Sequence, residues 1–372
     1  MRRGLAHAIL PEMTTRRASI LASEAPQSVS VLINNFNYGH FVSQAIDSAL
    51  AQTHPVQVVV VDDGSTDDSR RVIAHYGSSV TAIFQANAGQ GAAMNAGYAE
   101  ATGDIVIFLD ADDRLDPDAA RTLLAVWRPG HVLAHYPLRI IDARGGAIGI
   151  YPDPPTSLAD GDVREELLQT GGFGTSLTSG LAFLRAALTE IMPLPADDLK
   201  NAADGYLVRA VAFFGNVQRV EPALGDYRRH SSNDSNVCAA PGGLADGFRK
   251  KIGYARKEFE VTKLFAARHG LRAAENLGES NAEYVGYRLF LLLTDPTVEL
   301  GSAGGRWRLW RKYVATRWAS HWTRQRKVLA ITLATAAAVS PPILATRILT
   351  WLHDPHSRPA WWRQLAALLR RG

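Results

Sequence analysis

The stretch Ile105-Val106-Ile107-Phe108-Leu109-Asp110-Ala111-Asp112-Asp113 constrains the fold more than any other part of this 372-residue chain. Five apolar residues, the first three β-branched, stop abruptly at three carboxylates. An uninterrupted apolar run of that length is the pattern of a strand buried on both faces, and it places the acids at the carboxyl edge of a sheet. Carboxylates packed so closely repel one another unless a cation lies among them. Mg²⁺ or Mn²⁺ with oxygen ligands answers that repulsion, and a diphosphate would complete its coordination. The plainer alternative is a polar strand-to-helix turn in which Asp113 or Asp116 caps the next helix.

The upstream sequence favours the first reading. Apolar runs at Val29–Ile33, Val56–Val61, Val80–Phe84 and Asp104–Leu109 read as strands. Between them, Phe41–Gln52, a segment from Asp67 or Asp68 to Tyr76, and Gly91–Ala101 have helical spacing. Strands alternating with helices predict an α/β fold with a mostly parallel sheet and right-handed crossovers. Ligands then bind beyond the carboxyl ends of the strands. The polar residues fall there: Asn34, Asn35 and Asn37, then Asp62 and Asp63, then Asn87, then Asp110 and Asp112. Residues 131–237 are less regular, with strand-like Val132–Tyr136 and Arg139–Ile141, a Pro-rich loop Tyr151–Pro155, and a helix Ala203–Phe214 closed by Gly215. Residues 242–297 read as polar-amphipathic helix.

Four motifs, in order, carry a resemblance. They are Val29-Ser30-Val31-Leu32-Ile33-Asn34-Asn35-Phe36-Asn37-Tyr38, Val60-Val61-Asp62-Asp63-Gly64-Ser65-Thr66-Asp67, Asn87-Ala88-Gly89 with Asn95-Ala96-Gly97, and Asp110-Ala111-Asp112-Asp113. Together they resemble the family 2 inverting glycosyltransferases over roughly residues 28–235. The resemblance implies a GT-A (nucleotide-diphospho-sugar transferase) Rossmann-like fold with a helical C-terminal extension, a nucleotide-sugar donor, and Mg²⁺ or Mn²⁺. By position, Asp63 resembles the acid that accepts a hydrogen bond from the nucleotide base, which suits a uracil or thymine imide N–H. Asn34 and Asn35 match the lining of the same pocket, with Asn37 and Asn87 beside them. Asp110 resembles the ribose-side carboxylate and a metal ligand, and Asp112 the metal ligand, with Asp113 adjacent as a substitute. Asp204 stands where the family carries its catalytic base, although Ala203 replaces the acid often found before it. Asp197 and Asp198 compete for that role, and the plainer reading makes Asp204 a helix N-cap. In Tyr227-Arg228-Arg229-His230, Arg228 or Arg229 matches a diphosphate partner and His230 a metal or phosphate contact. Thr178-Ser179-Gly180 resembles an acceptor-side stretch.

The implied reaction is transfer of one sugar, since the Gln-x-x-Arg-Trp signature of processive members is missing. The acceptor class is a polysaccharide, glycolipid or lipid-linked saccharide. A pyrophosphorylase on a similar sheet would need a Gly-rich loop after the first strand, which Asn34–Tyr38 is not. A catalytically inactive nucleotide-sugar-binding or scaffolding protein is the remaining alternative.

Charge divides the chain unevenly. From residue 301 onward there are 13 Lys/Arg and one acid, Asp354, a balance of +12, so the net charge of +4 leaves −8 for the rest. Seven of the eight tryptophans also follow residue 300. Trp307, Trp310, Val314, Trp318 and His321 recur at helical spacing among Arg306, Arg311, Lys312 and Arg317. That pattern suits an anionic membrane surface, and no nucleic-acid module accompanies the charge. Val328–Thr346 approaches the length of a bilayer span, but Pro341-Pro342 and its many alanines favour a buried or re-entrant hairpin. Trp361, Trp362, Leu365 and Leu368 form a last amphipathic patch. One cysteine, Cys238, excludes an internal disulfide framework and a cysteine zinc site and fits a reducing compartment. The expected organisation is a disordered leader 1–27, a catalytic domain 28–237, a helical extension 238–325 and a basic, aromatic segment 326–372. The protein is expected in the cytoplasm, peripheral on the membrane face, and self-associating through its C-terminal helices.

Overall fold

The structure, a computed structural model, describes residues 17, 20, 24–230, 237–240, 242–295, 297–298, 305–320, 322–353 and 357. Its chain packs as two compact units. One comprises 1–229 with 258–275, the other 230–257 with 276–372.

In the first unit the apolar runs become β1 (Val29–Asn35), β2 (Gln57–Asp63), β3 (Thr81–Gln85) and β4 (Ile105–Asp110). β1 pairs in parallel with β2 on one side and β4 on the other, and β2 pairs in parallel with β3. The chain therefore runs outward from β1 to β3 and then returns to β1's other edge. That reversal between β1 and β4 opens a crevice beyond their carboxyl ends. The register fixes what lines it. Asn34 lies opposite Asp110, Asn35 opposite Asp62, and Asp63 opposite Gln85.

Further strands follow as β5 (Arg114–Leu115), β6 (His131–His135), β7 (Leu138–Asp142), β8 (Ala147–Tyr151), β9 (Leu181–Leu184), β10 (Asn216–Arg219) and β11 (Gly225–Arg229). The main sheet has seven strands in the order β10-β6-β9-β4-β1-β2-β3, with β9 antiparallel to both neighbours. A second sheet runs β5-β11-β7-β8. The fold is thus mixed α/β with a mostly parallel central sheet.

Helices cover the sheet as their spacing requires. Helix Val42–Leu50 buries Val42, Ala45, Ile46 and Ala49. Helix Gln90–Glu100 turns small residues to the strands, where a Cβ on Gly97 would already lie 3.3 Å from Val61 Cγ2. The helix expected over Ala203–Phe214 spans Ala203–Val211 and loosens into turns up to Phe214.

Two expected boundaries differ in the structure. Within the expected leader, Ile20 is buried in the core of the first unit. Phe265, expected in the extension, is fully buried in the same core against Tyr206, Phe213 and Phe214, which draws 258–275 into the first unit.

The second unit is helical. Its own core joins Leu244 and Phe248 to residues of helices Ala282–Thr294, Gly305–Ala319, Arg324–Ala338 and Pro342–His353. One core therefore runs across the boundary expected at 325/326. Val328–Thr346 is a bent pair of helices, because Pro341-Pro342 cannot continue the first helix while Pro342 can open the second. Among the described residues no helix is long and apolar enough to cross a membrane. Most of the expected leader, together with His321, Asp354 and the Trp361–Leu368 patch, lies outside the described residues.

Candidate active site

The acids meet as the strand pattern requires. Asp110 keeps some exposure at the tip of β4, whereas Asp112 and Asp113 are buried. Burial pushes the Asp110 carboxyl well above the ordinary range, Asp112 and then Asp204 push it further, and the Thr178 hydroxyl opposes them. Burial does the same to Asp113, helped by Asp112 and Asp110 and opposed by Ser179 and the Arg228 N–H. Four carboxylates from two segments thus share one field.

Asp204 joins them from a helix start. Ala202, in the left-handed region at φ 62°, occupies the N-cap position, so Asp204 lies inside the first turn and is not the cap. Gln90 Oε1 accepts from Ala203 N at 3.0 Å and holds that turn. The Thr178 hydroxyl donates to Asp204 Oδ2 at 3.3 Å, and the Asp204 charge, after burial and Asp112, raises the Asp110 carboxyl. Asp197 and Asp198 are exposed.

Two residues brace the cluster. Ser179, fully buried, donates from Oγ to Asp113 Oδ2 at 2.6 Å and accepts from Asp110 N at 3.1 Å. Arg228 is 1% exposed on β11. Its backbone N–H donates to Asp113 Oδ1 at 2.8 Å, its Nε to the Asp112 carbonyl at 2.8 Å, and its Nη2 to Gln44 Oε1 at 2.8 Å. The guanidinium also lies 4.7 Å from the Phe41 ring centroid. This corrects the expectation that Arg228 meets a diphosphate, because its donors are used inside the protein. Arg229 alternates to the other face of β11 and is partly exposed.

The loops after β1 and β2 hold each other. Asn35 Nδ2 donates to Asp62 Oδ1 at 2.8 Å and to Ser65 Oγ at 3.1 Å. Asn37, at φ 59°, accepts from Thr66 N at 2.8 Å and Thr66 Oγ1 at 3.2 Å, so its carbonyl oxygen locks a turn. Asp63 accepts from Gln85 Nε2 at 2.7 Å, Ala88 N at 2.9 Å and Gly89 N at 2.7 Å. Three N–H groups on a carboxylate with about four lone-pair sites leave room for one more. Asp63 therefore clamps the Asn87-Ala88-Gly89 turn, and the expected base contact would take its remaining lone pair. Asn87 itself is exposed. Gly64, at φ +75°, is required here, since a Cβ would stand 2.5 Å from Asn87 N. Asn34 differs from all of these. Its side-chain nitrogen and oxygen are both buried with no hydrogen-bond partner, beside Asp110 in register. Buried amides left unpaired are uncommon and suit a ligand that completes them.

The donor set fits Mg²⁺ or Mn²⁺. The clustered groups are hard oxygen ligands whose mutual repulsion a dication would relieve. Both Asp113 oxygens are engaged, so Asp110 and Asp112 are the carboxylates suited to hold it. Among the described residues no three His, Cys, Asp or Glu side chains form a metal group on their own. A cation with two protein carboxylates would take its other ligands from water and phosphate, as Mg²⁺ commonly does. His230, expected at the metal, belongs to the second unit. The bracing roles of Gln44 and Phe41 had no sequence signal, since both lie in or beside an ordinary amphipathic helix.

Residues 30–160 match the family model described as glycosyl transferase family 2. An uncharacterized glycosyltransferase of Nostoc sp. is 39% identical over 220 residues, covering 57% of this chain and 68% of that protein. One of Rickettsia prowazekii is 35% identical over 91 residues, 24% of this chain, and there the match spans only 29% of the relative. Among solved structures, a mannosyltransferase of Pyrobaculum calidifontis in complex with GDP-Man and Mn²⁺ aligns over 95% of this chain and 96% of its own, at 15% identity and a TM-score of 0.47. The strand-tip acids sit on a mostly parallel α/β sheet, and the chain belongs to family 2 of the glycosyltransferases.

Proposed function

We propose that this protein transfers a single sugar, with inversion, from a nucleoside-diphosphate donor to a polysaccharide, glycolipid or lipid-linked acceptor. The reading rests above all on the closeness of Asp204 to the strand-tip acids. Its charge joins burial and Asp112 in raising the Asp110 carboxyl, while Thr178 donates to Asp204. A base and a leaving-group site must stand on opposite sides of one anomeric carbon, and this closeness brings the candidates for both together. Asp204 takes the acceptor hydroxyl proton as that oxygen attacks the anomeric carbon. The bond from that carbon to the diphosphate breaks, and its electron pair leaves with the diphosphate. Attack opposite the leaving group inverts the centre, so no covalent intermediate forms.

Asp110 and Asp112 would hold Mg²⁺ or Mn²⁺, which when bound supplies neutralisation of charge on the departing diphosphate. Of the two arginines expected at the diphosphate, Arg229 takes the phosphate-facing role. Asn34 offers a donor and an acceptor to the nucleotide, and the last lone pair of Asp63 suits a uracil N–H, which makes UDP the first donor to try. His230 is a further candidate at the metal or phosphate. The basic charge of the second unit supports a position at an anionic membrane surface on the cytoplasmic side, and self-association through its helices is part of the same reading.

A thermal-shift screen with Mn²⁺ across UDP-, GDP- and dTDP-sugars tests this. Stabilisation by one nucleotide class only when metal is present supports it. No shift with any donor favours the non-catalytic alternative.

A further inference from the structure

Between Gly305 and His353 the chain carries nine Lys or Arg and no Asp or Glu. Lys312 pairs with Glu279, and Arg317 with Glu283. Arg308, Arg311, Arg324 and Arg347 are exposed. Helices Arg324–Ala338 and Pro342–His353 bury Leu333, Ala334, Ala337, Ala345, Ile348 and Leu349 in the core of the second unit. Their connection does the reverse. Val339 is 67% exposed, Ile343 90% and Leu344 46%, with Pro341 and Pro342 exposed between them.

Single exposed apolar side chains are ordinary. An apolar cluster at the tip of a proline-stiffened turn is not. Arg306 Nη1 donates to the Ala338 carbonyl at 3.4 Å, which brings the start of helix Gly305–Ala319 to the base of the tip. Trp307, next in sequence, is 44% exposed and packs edge-on against Trp310. Arg347 stands one helical turn beyond Ile343.

An apolar wedge with tryptophan and unopposed cations beside it has the chemistry of the bilayer interface. A second copy is a poorer occupant. It would bring the same cations to a self-complementary contact, with no acid from this segment to meet them. We infer that the Val339–Leu344 tip inserts into the interfacial layer of an anionic membrane, with Trp307, Arg308 and Arg347 at headgroup level. This deepens the membrane reading above, and its test does not depend on sugar transfer.

The experiment is vesicle flotation of the full chain on phosphatidylcholine alone and on phosphatidylcholine mixed with phosphatidylglycerol. Wild type floats with the anionic vesicles. Val339→Glu with Ile343→Glu lowers that partition about tenfold or more, and thermal unfolding stays unchanged because both side chains are exposed. Arg347→Gln lowers partition to the anionic vesicles only. Asp204→Asn floats as wild type does, so the membrane and transfer readings fail separately. Flotation unaffected by the double substitution overturns the inference, and so does wild type that floats with neither vesicle. A wild-type dimer that the double substitution dissociates, with no flotation, assigns the tip to a contact between copies and also overturns it.

Discussion

Replacing Arg228 by Met separates a brace from a phosphate ligand. The guanidinium supplies the donors to the Asp112 carbonyl and to Gln44 Oε1, each at 2.8 Å, and stacks on Phe41. Methionine fills similar volume and leaves the buried Asp112 carbonyl without this donor, at about 1–3 kcal/mol, whereas the exposed Gln44 amide can turn to water. The lost cation–π contact adds about 0.5–2 kcal/mol. Removing a buried cation recovers part of this, so the net loss is about 1–3 kcal/mol. In urea, with a slope of about 1–3 kcal/mol per molar, the first unit's midpoint falls by about 0.5 M or more. The loosened Asp112 backbone should lower kcat while leaving the KM for the donor nearly unchanged. Arg228→Lys should restore little, since an ammonium cannot make both bonds of the fork. An unchanged urea midpoint, with a donor KM raised about tenfold or more, would show that the guanidinium faces the diphosphate and refute the reasoning.

Ser179→Ala removes a donor from Asp113 and strands the Asp110 N–H, and should cost about 2–4 kcal/mol in urea unfolding. Gly64→Ala meets both a positive φ and a Cβ 2.5 Å from Asn87 N, so it should destabilise by about 2 kcal/mol or more and weaken donor-induced thermal shifts. His135, buried between the Ala159 carbonyl at 2.7 Å and Thr175 Oγ1 at 3.2 Å, is held down by burial to about 4. Its unfolded value is near 6.5, so the folded state stays neutral while the unfolded state gains a proton as pH falls. Stability present above pH ~6.5 is lost toward pH ~4, by about 2 kcal/mol at pH ~5. His135→Gln should flatten that part of the pH profile, and an equally steep profile would remove His135 as its source.

Much of the first unit was legible because its signals are local. Four apolar runs ending in polar residues read as strands, three of them central and β3 at the sheet edge, and their tips follow once the sheet is parallel. Asp204 was legible only through resemblance, because nothing nearby in sequence ties it to Asp110. Thr178, which donates to Asp204, comes from yet another segment. Strands β8, β9 and β10 escaped notice because they are short and lack alternation. The bracing roles of Arg228, Asn37 and Asp63 were not legible for one reason: they are polar residues at strand ends, and sequence does not reveal whether such a group is already engaged by the protein. Gln44, Thr66 and Gln85 are the partners that decide it, and they come from distant elements. The second unit was legible as helix but not as one core, because the distance between Phe248 and Leu349 in sequence hides their shared burial.

Asp204→Asn, assayed for transfer and donor binding on the same preparation, settles whether the base belongs to this cluster. Transfer should fall about 10²–10⁴-fold, while the thermal shift with donor and Mn²⁺ stays at the wild-type value. Transfer that persists at the wild-type rate would remove Asp204 from the chemistry and leave the reading of this site without its base.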